Sequence, residues 1–148
     1  MSSLFQIEDL FNVLITLEQA GQKQYSEMSK HAEDFTVKAL FEKLAQEEVK
    51  HEQLYSKLKN ASLHISTDKI TVEYKQYALQ LIGDTVTFLN RLSPVTTIKE
   101  GIAVGLKLEK ETIFMLNELK IVLDEAHHSL VDDIIQKEKE HIQLLLSL

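Results

Sequence analysis

The 148-residue chain has no cysteine, a single proline and four glycines. Without cysteine there can be no disulfide, zinc ribbon, four-cysteine iron site or thiol nucleophile. Basic side chains are also scarce, with 16 Lys and Arg against 23 Asp and Glu and a formal net charge of -7. No basic face is offered to phosphates, so a nucleic-acid partner is excluded. No uncharged apolar run approaches ~20 residues, which excludes a membrane-spanning helix. Met1 to Phe11 lacks a basic n-region and carries Glu8 and Asp9 early, unlike a secretory signal. A cytoplasmic protein is the expectation. With 44% hydrophobic and 26% charged residues, the shortage of Pro and Gly favours an all-α chain. The length suits one domain, residues 1–148, with its own core.

Four stretches carry a seam of apolar residues at alternating steps of three and four, the period of a buried helix face. The first helix is expected from about Ser3 to Ser29, with Leu4, Ile7, Phe11, Leu14, Glu18, Gly21, Tyr25 and Met28 on its seam. The second begins at Asp34, a plausible N-cap, and runs to about Asn60 with Phe41, Leu44, Glu48, His51, Tyr55 and Leu58. The third starts at Ser93-Pro94, or at Thr97 with Glu100 closing a capping box. Its seam is Val95, Ile98, Ile102, Gly105, Glu109, Thr112, Leu116 and Leu119. The fourth follows a turn near Asp124 to Ser129, with Val131, Ile134, Glu138, His141, Leu145 and Leu148. Between the second and third lies a long crossover. Ala61 to Asp68 read as loop, Val72 to Ile82 as a short helix, Gly83-Asp84 as a stop and new cap, and Thr85 to Leu92 as a further turn or two. The expected fold is a four-helix bundle with a partly helical crossover between helices 2 and 3.

Each seam contains one glutamate, and two contain Glu-x-x-His, which places a carboxylate and an imidazole on one helix face. Phe41–Leu58 aligns without a gap on Val131–Leu148, pairing Gln46, Glu48, His51, Gln53, Leu54 and Leu58 with Gln136, Glu138, His141, Gln143, Leu144 and Leu148. Glu18 and Glu109 are 91 positions apart, and the two Glu-x-x-His stretches 90. This is an internal duplication of a helix pair. At 1.5 Å per residue all four glutamates lie roughly 21–24 Å from their loops, in one layer of the bundle. Four glutamates in a dry layer need compensating charge, and no Lys or Arg shares a seam with them. Two divalent cations would supply it, with Glu18, Glu48, His51, Glu109, Glu138 and His141 as ligands. The mixed oxygen and nitrogen donors suit iron or manganese.

A plainer reading stands beside this one. A single Glu-x-x-His usually lies on a solvated helix face, and a rotated register would leave a metal-free interaction module. That reading requires the same accident twice, together with two further seam glutamates at matching height. Tyr25 either hydrogen-bonds a ligand carboxylate or is a core tyrosine, and Leu116 takes its place after Glu109. Gly21 and Gly105 allow close helix packing or leave room for a substrate. His31, His64, His127 and His128 fall in or near loops and are expected to be solvated. Glu47, Glu111 and Glu140 adjoin ligands in sequence but point about 100° away, so they are set aside. The apolar tail Ile142 to Leu148 completes the bundle or forms a homodimer face.

The set Glu18 with Tyr25, Glu48-x-x-His51, Glu109 and Glu138-x-x-His141, divided by a long crossover, resembles the ferritin-like superfamily and, within it, the rubrerythrin-type di-iron domain. The resemblance covers nearly the whole chain. It implies that Glu48 and Glu138 bridge the metals, that Glu18 and His51 complete one ion, and that Glu109 and His141 complete the other. It also implies two Fe ions, or two Mn or a mixed pair, reacting with O2 or H2O2 as a peroxidase or ferroxidase in oxidative-stress defence or iron handling. Iron storage without turnover is the alternative, and dimanganese catalase and di-iron hydroxylase chemistries share the same ligands. Two features depart from the family. The cysteine-free chain carries no rubredoxin domain, so an external electron donor is expected. Thr112 stands where such proteins tend to have an extra glutamate.

Overall fold

The computed structural model describes residues 5–62 and 65–148. Leu4, Ser3 and His64 lie outside the described residues. Among the described residues there are five α-helices: α1 (Ile7–His31), α2 (Phe35–Ala61), α3 (Val72–Asn90), α4 (Ile98–Val122) and α5 (His128–Leu146), with one 3-10 turn at Glu125–His127 before α5. No helix among the described residues is long and apolar enough to cross a membrane.

α1 and α2 form an antiparallel hairpin because only three residues separate them. Asp34 caps α2 as expected, its carboxylate accepting from the Val37 N–H at 3.0 Å. The outer edge of the hairpin is joined by side chains. Lys59 reaches Asn12 at 2.8 Å, and Glu52 accepts from Gln22 at 2.6 Å and Gln19 at 3.0 Å. α4 and α5 make the second hairpin, held beside its connecting turn by Lys120 and Asp132 at 2.7 Å. Tyr25 lies against Gly105 and Met28 against Gly101, so α1 and α4 run antiparallel.

α3 is the crossover, and here the expectation of a break fails. One helix runs through Gly83 and Asp84 without interruption. Glycine in a helix interior costs about 1 kcal/mol relative to alanine, but the face of α3 is packed. Ala78 and Thr85 are buried, and Leu79, Leu81, Ile82, Phe88 and Leu89 lie against the core. Thr85 donates to Glu111 at 3.0 Å and Tyr74 to Glu118 at 2.7 Å, which ties α3 to α4. Thr71 caps its start through the Tyr74 N–H at 3.1 Å.

The other boundary differences are small. α1 begins at Ile7, where the Gln6 N–H donates to the Asp9 carboxylate at 2.7 Å. α4 begins at the Thr97 cap, whose hydroxyl accepts from the Glu100 N–H at 3.1 Å, so Val95 precedes the helix. The seams of α1 and α2 are buried at every described position named above. On α4, Ile98 and Ile102 are only half-buried, while Gly105, Glu109, Thr112, Leu116 and Leu119 are buried. Leu148 lies beyond the end of α5 and is exposed rather than on the seam.

Two core clusters result. The larger is built from Phe11, Leu14, Leu17, Leu116, Leu119 and Ile134 among others, and the smaller from Tyr25, Met28, Phe41, Leu44 and Leu145. The layer between them is polar.

Candidate metal centre

That layer consists of all six residues singled out from sequence. Glu18 and Glu138 are fully buried, Glu109 and His141 are 1% exposed, Glu48 2% and His51 6%. The helical period brings Glu48 and His51 to one face of α2, and Glu138 and His141 to the facing side of α5. Because the two helices run antiparallel, each histidine meets the other helix's glutamate. His51 Nδ1 contacts Glu138 Oε1 closely and lies 3.6 Å from Glu18 Oε1. His141 Nδ1 lies 3.0 Å from Glu48 Oε1, 3.5 Å from Glu109 Oε1 and 3.8 Å from Glu138 Oε2. The imidazole rings stack, with centroids 5.6 Å apart and planes 22° from parallel.

The donor atoms form two overlapping groups. Glu18, Glu48, His51 and Glu138 present atoms within 4.8 Å of one another, and so do Glu48, Glu109, Glu138 and His141. Glu48 and Glu138 belong to both, so the layer has the form of two adjacent ion positions sharing two carboxylates.

Several of these atoms have no hydrogen-bond partner although they are buried. They are Glu18 Oε2, Glu48 Oε1, His51 Nδ1, Glu109 Oε2, both Glu138 oxygens and His141 Nδ1. A buried polar atom without a partner costs about 1–3 kcal/mol, and more if charged. So many in one layer fit a site built for cations. The protonation pattern agrees. Burial and the neighbouring carboxylates Glu18 and Glu109 push Glu48 and Glu138 well above the usual carboxylate range. Burial also raises Glu109, but its close polar contacts with Glu138 and His141 and the hydrogen bond from Tyr25 outweigh it, and the net shift is downward. For His141, burial favours the neutral ring, yet Glu109 and Glu47 carry the net shift upward. Protons held on Glu48 and Glu138 would thus offset part of the charge of four buried carboxylates.

Two tyrosines anchor the outer glutamates. The Tyr25 hydroxyl donates to Glu109 Oε1 at 2.7 Å, which resolves its reading in favour of a carboxylate partner. Tyr55, buried on the α2 seam, donates to Glu18 Oε1 at 2.9 Å. Sequence reasoning named Tyr55 only as a seam residue. The signal was present, because Tyr55 follows Glu48 by seven residues, the spacing of Tyr25 after Glu18. Burial and the adjacent carboxylates raise both phenols well above their ordinary value, so they remain donors.

Glu47 corrects another expectation. It does not point away from the layer: its Oε2 lies 3.3 Å from His141 Nε2. α2 faces α5 as well as α1, so a side chain rotated one position from Glu48 still meets protein. Glu111 bonds Thr85, and Glu140 pairs with Lys137, so both stay outside the site. His31 is exposed, but His127 pairs with Asp124 and the half-buried His128 lies 3.0 Å from the Leu123 carbonyl oxygen. Gly21 clears space for a ligand candidate. A Cβ there would come 2.9 Å from Glu48 Oε2, and one at Gly105 would come 3.0 Å from the Tyr25 ring.

A helical bundle with a crossover and a buried four-glutamate, two-histidine layer defines the class of ferritin-like dimetal carboxylate proteins. The rubrerythrin family model matches residues 9–148, and the chain belongs to that family. A solved Thermotoga maritima structure, assigned by its description to the ferritin-like diiron-carboxylate proteins, is similar over 99% of this chain and 96% of its own. Its TM-score is 0.68 at 25% sequence identity. No curated protein sequence matches the chain.

Proposed function

We propose that this protein holds two iron ions and reacts with O2 or H2O2 as a peroxidase- or ferroxidase-type oxidoreductase, drawing electrons from an external donor in the cytoplasm. The observation that carries the reading is the convergence of unpartnered carboxylate oxygens and both histidine Nδ1 atoms in one buried layer. Glu18 and His51 would hold one ion, Glu109 and His141 the other, and Glu48 and Glu138 both. Bound iron supplies the electrons and the Lewis acidity for reduction of an O–O bond.

The chain's own residues set the conditions. Glu48 and Glu138 must release the protons they retain in the metal-free bundle, and four ionised carboxylates then balance two divalent cations. Tyr25 and Tyr55 keep the outer glutamates in place. Among the described residues no tyrosine hydroxyl donates to Glu48 or Glu138, so these two carboxylates, which would serve both ions, are the less restrained ones. Thr112 supplies no further ligand charge, since its hydroxyl donates to the Leu108 carbonyl at 2.9 Å. Burial of all six ligand candidates keeps bulk water out of the layer.

Anaerobic titration with Fe(II), followed by H2O2 or air, tests the proposal. Saturation at two irons per chain is expected, with oxidation faster than in a Glu48→Ala, Glu138→Ala control. Saturation well short of two, or oxidation no faster than in the control, refutes it. Metal analysis of native protein purified without chelator decides between iron and manganese.

A further inference from the structure

The duplication gives the two ion positions matching ligands but unlike support. His141 is held from outside by Glu47, with Oε2 at 3.3 Å from Nε2, while its Nδ1 faces Glu48 and Glu109. An imidazole that offers Nδ1 to a cation carries its proton on Nε2, and that N–H needs an acceptor. Glu47 is an anionic acceptor at that position. It fixes the ring's tautomer and orientation and makes Nδ1 a stronger donor to a cation.

The offset of 90 that relates Glu48 to Glu138 places Lys137 at the counterpart of Glu47. Lysine has donors only, so it cannot accept from the Nε2–H of His51, and its charge opposes that of a cation-bound ring. Lys137 is largely exposed and pairs with Glu140 at 3.6 Å. The contacts of His51 with Glu18 and Glu138 are both made through Nδ1. Glu47 also lines a cavity of about 350 Å³ between α2 and α5, beside Lys43, Lys137 and His141. Its carboxylate is therefore part surface, part site, and can be altered without opening the core.

We infer that the two ion positions are inequivalent, with the Glu109–His141 position the tighter, and that Glu47 is the positioning residue that makes it so. The inference rests on the two-metal reading above. A spectroscopic titration separates the two, using the free Mn(II) signal in electron paramagnetic resonance as the readout. The wild-type chain should bind two Mn(II) in two resolved steps. Glu47→Gln should weaken the tighter step by about 10–100-fold, the usual effect of losing such a partner, and leave the weaker step unchanged. Glu109→Gln should abolish the tighter step, and Glu18→Gln the weaker. Two equal wild-type steps, or equal weakening of both by Glu47→Gln, overturn the inequivalence and leave the two-metal reading standing. Binding of no more than one Mn(II) overturns that reading, and this inference with it.

Discussion

Glu138→Gln should stabilise the metal-free protein and destabilise the metal-loaded one. Glu138 is fully buried, and burial together with Glu18 and Glu109 pushes its carboxyl well above the ordinary value of 4.5. Between that value and the raised folded one, the unfolded chain releases the proton while the folded chain keeps it. The unfolded state then binds fewer protons, so stability falls as pH rises. The slope for one such group is about 1.4 kcal/mol per pH unit. A glutamine is a permanent analogue of the protonated acid. Its amide brings donor hydrogens to the neighbouring carboxylates Glu18 and Glu109 without retaining a proton that the unfolded chain would lose. The variant's advantage in chelator should therefore grow by about 1.4 kcal/mol per pH unit above 4.5 until the folded carboxyl ionises. For a chain of this size that corresponds to roughly 3–6 °C in Tm per pH unit.

With metal present the order reverses. A ligand at one hundred times its Kd stabilises the folded state by about 2.7 kcal/mol per site, and Glu138 is shared by both donor groups. Glutamine supplies no anionic oxygen to either, so the variant should lose most of the metal-induced rise in Tm. The assay is thermal unfolding followed by circular dichroism, in chelator and in excess Mn(II), across a pH series from 5 to 8. A variant less stable than wild type in chelator, by an amount that does not change with pH, would refute the reasoning and show Glu138 to be an ordinary packed residue.

Other consequences can be measured separately. Metal affinity should fall as pH falls, because Glu48, Glu138 and His141 all hold protons more tightly than their ordinary values; calorimetry in buffers of different ionisation enthalpy should detect proton release on binding. Tyr55→Phe removes the hydroxyl donor to Glu18 and should cost about 1.5–3 kcal/mol of metal-loaded stability, the range for a bond to a charged group, while an unchanged Tm would place the hydroxyl outside the site's support. Gly21→Ala should raise the helix propensity of α1 by about 1 kcal/mol yet weaken metal binding, since the added methyl meets Glu48 Oε2 at 2.9 Å; equal metal affinity in the variant would contradict this.

The buried layer of glutamates and histidines was legible from sequence because its signal combines two independent requirements. A helix seam alternating in steps of three and four already reports burial, and a charged residue on it can persist only with compensation. Glu18, Glu48, Glu109 and Glu138 satisfied both, and all four are buried. The crossover was less legible. Gly83-Asp84 carries a local stop signal, but packing of Ala78 and Thr85 on one face of α3 outweighs glycine's helix cost. Local propensity is worth about a kilocalorie at such a position, and buried side chains of neighbouring turns contribute more. Glu47 was misplaced for a different reason. The 100° step per residue is sound for one helix against one neighbour, whereas α2 packs against two partners, so the water-facing strip near the site narrows to Gln46, Val49, Lys50 and Gln53 and leaves Glu47 against α5.

The supports of the site follow a different logic from its ligands. The candidate ligands repeat, as a pair of ions bound between both halves of a duplicated bundle would require: Glu18, Glu48 and His51 reappear as Glu109, Glu138 and His141. A supporting group has only to deliver one donor or acceptor to a stated atom, and any adjacent helix can do so. Tyr25 crosses from α1 to Glu109, whereas Tyr55 on α2 bonds Glu18 within its own hairpin. Their counterparts in the second half are Leu116 and Leu145, which pack into the core instead. Glu47 likewise serves His141, and its counterpart is a lysine. Both tyrosines and the outer carboxylate therefore come from α1 and α2, so the first hairpin supports both halves of the layer. Substitutions among these three residues should change the two ion positions unequally, while substitutions at Leu116 and Leu145 should act through packing alone.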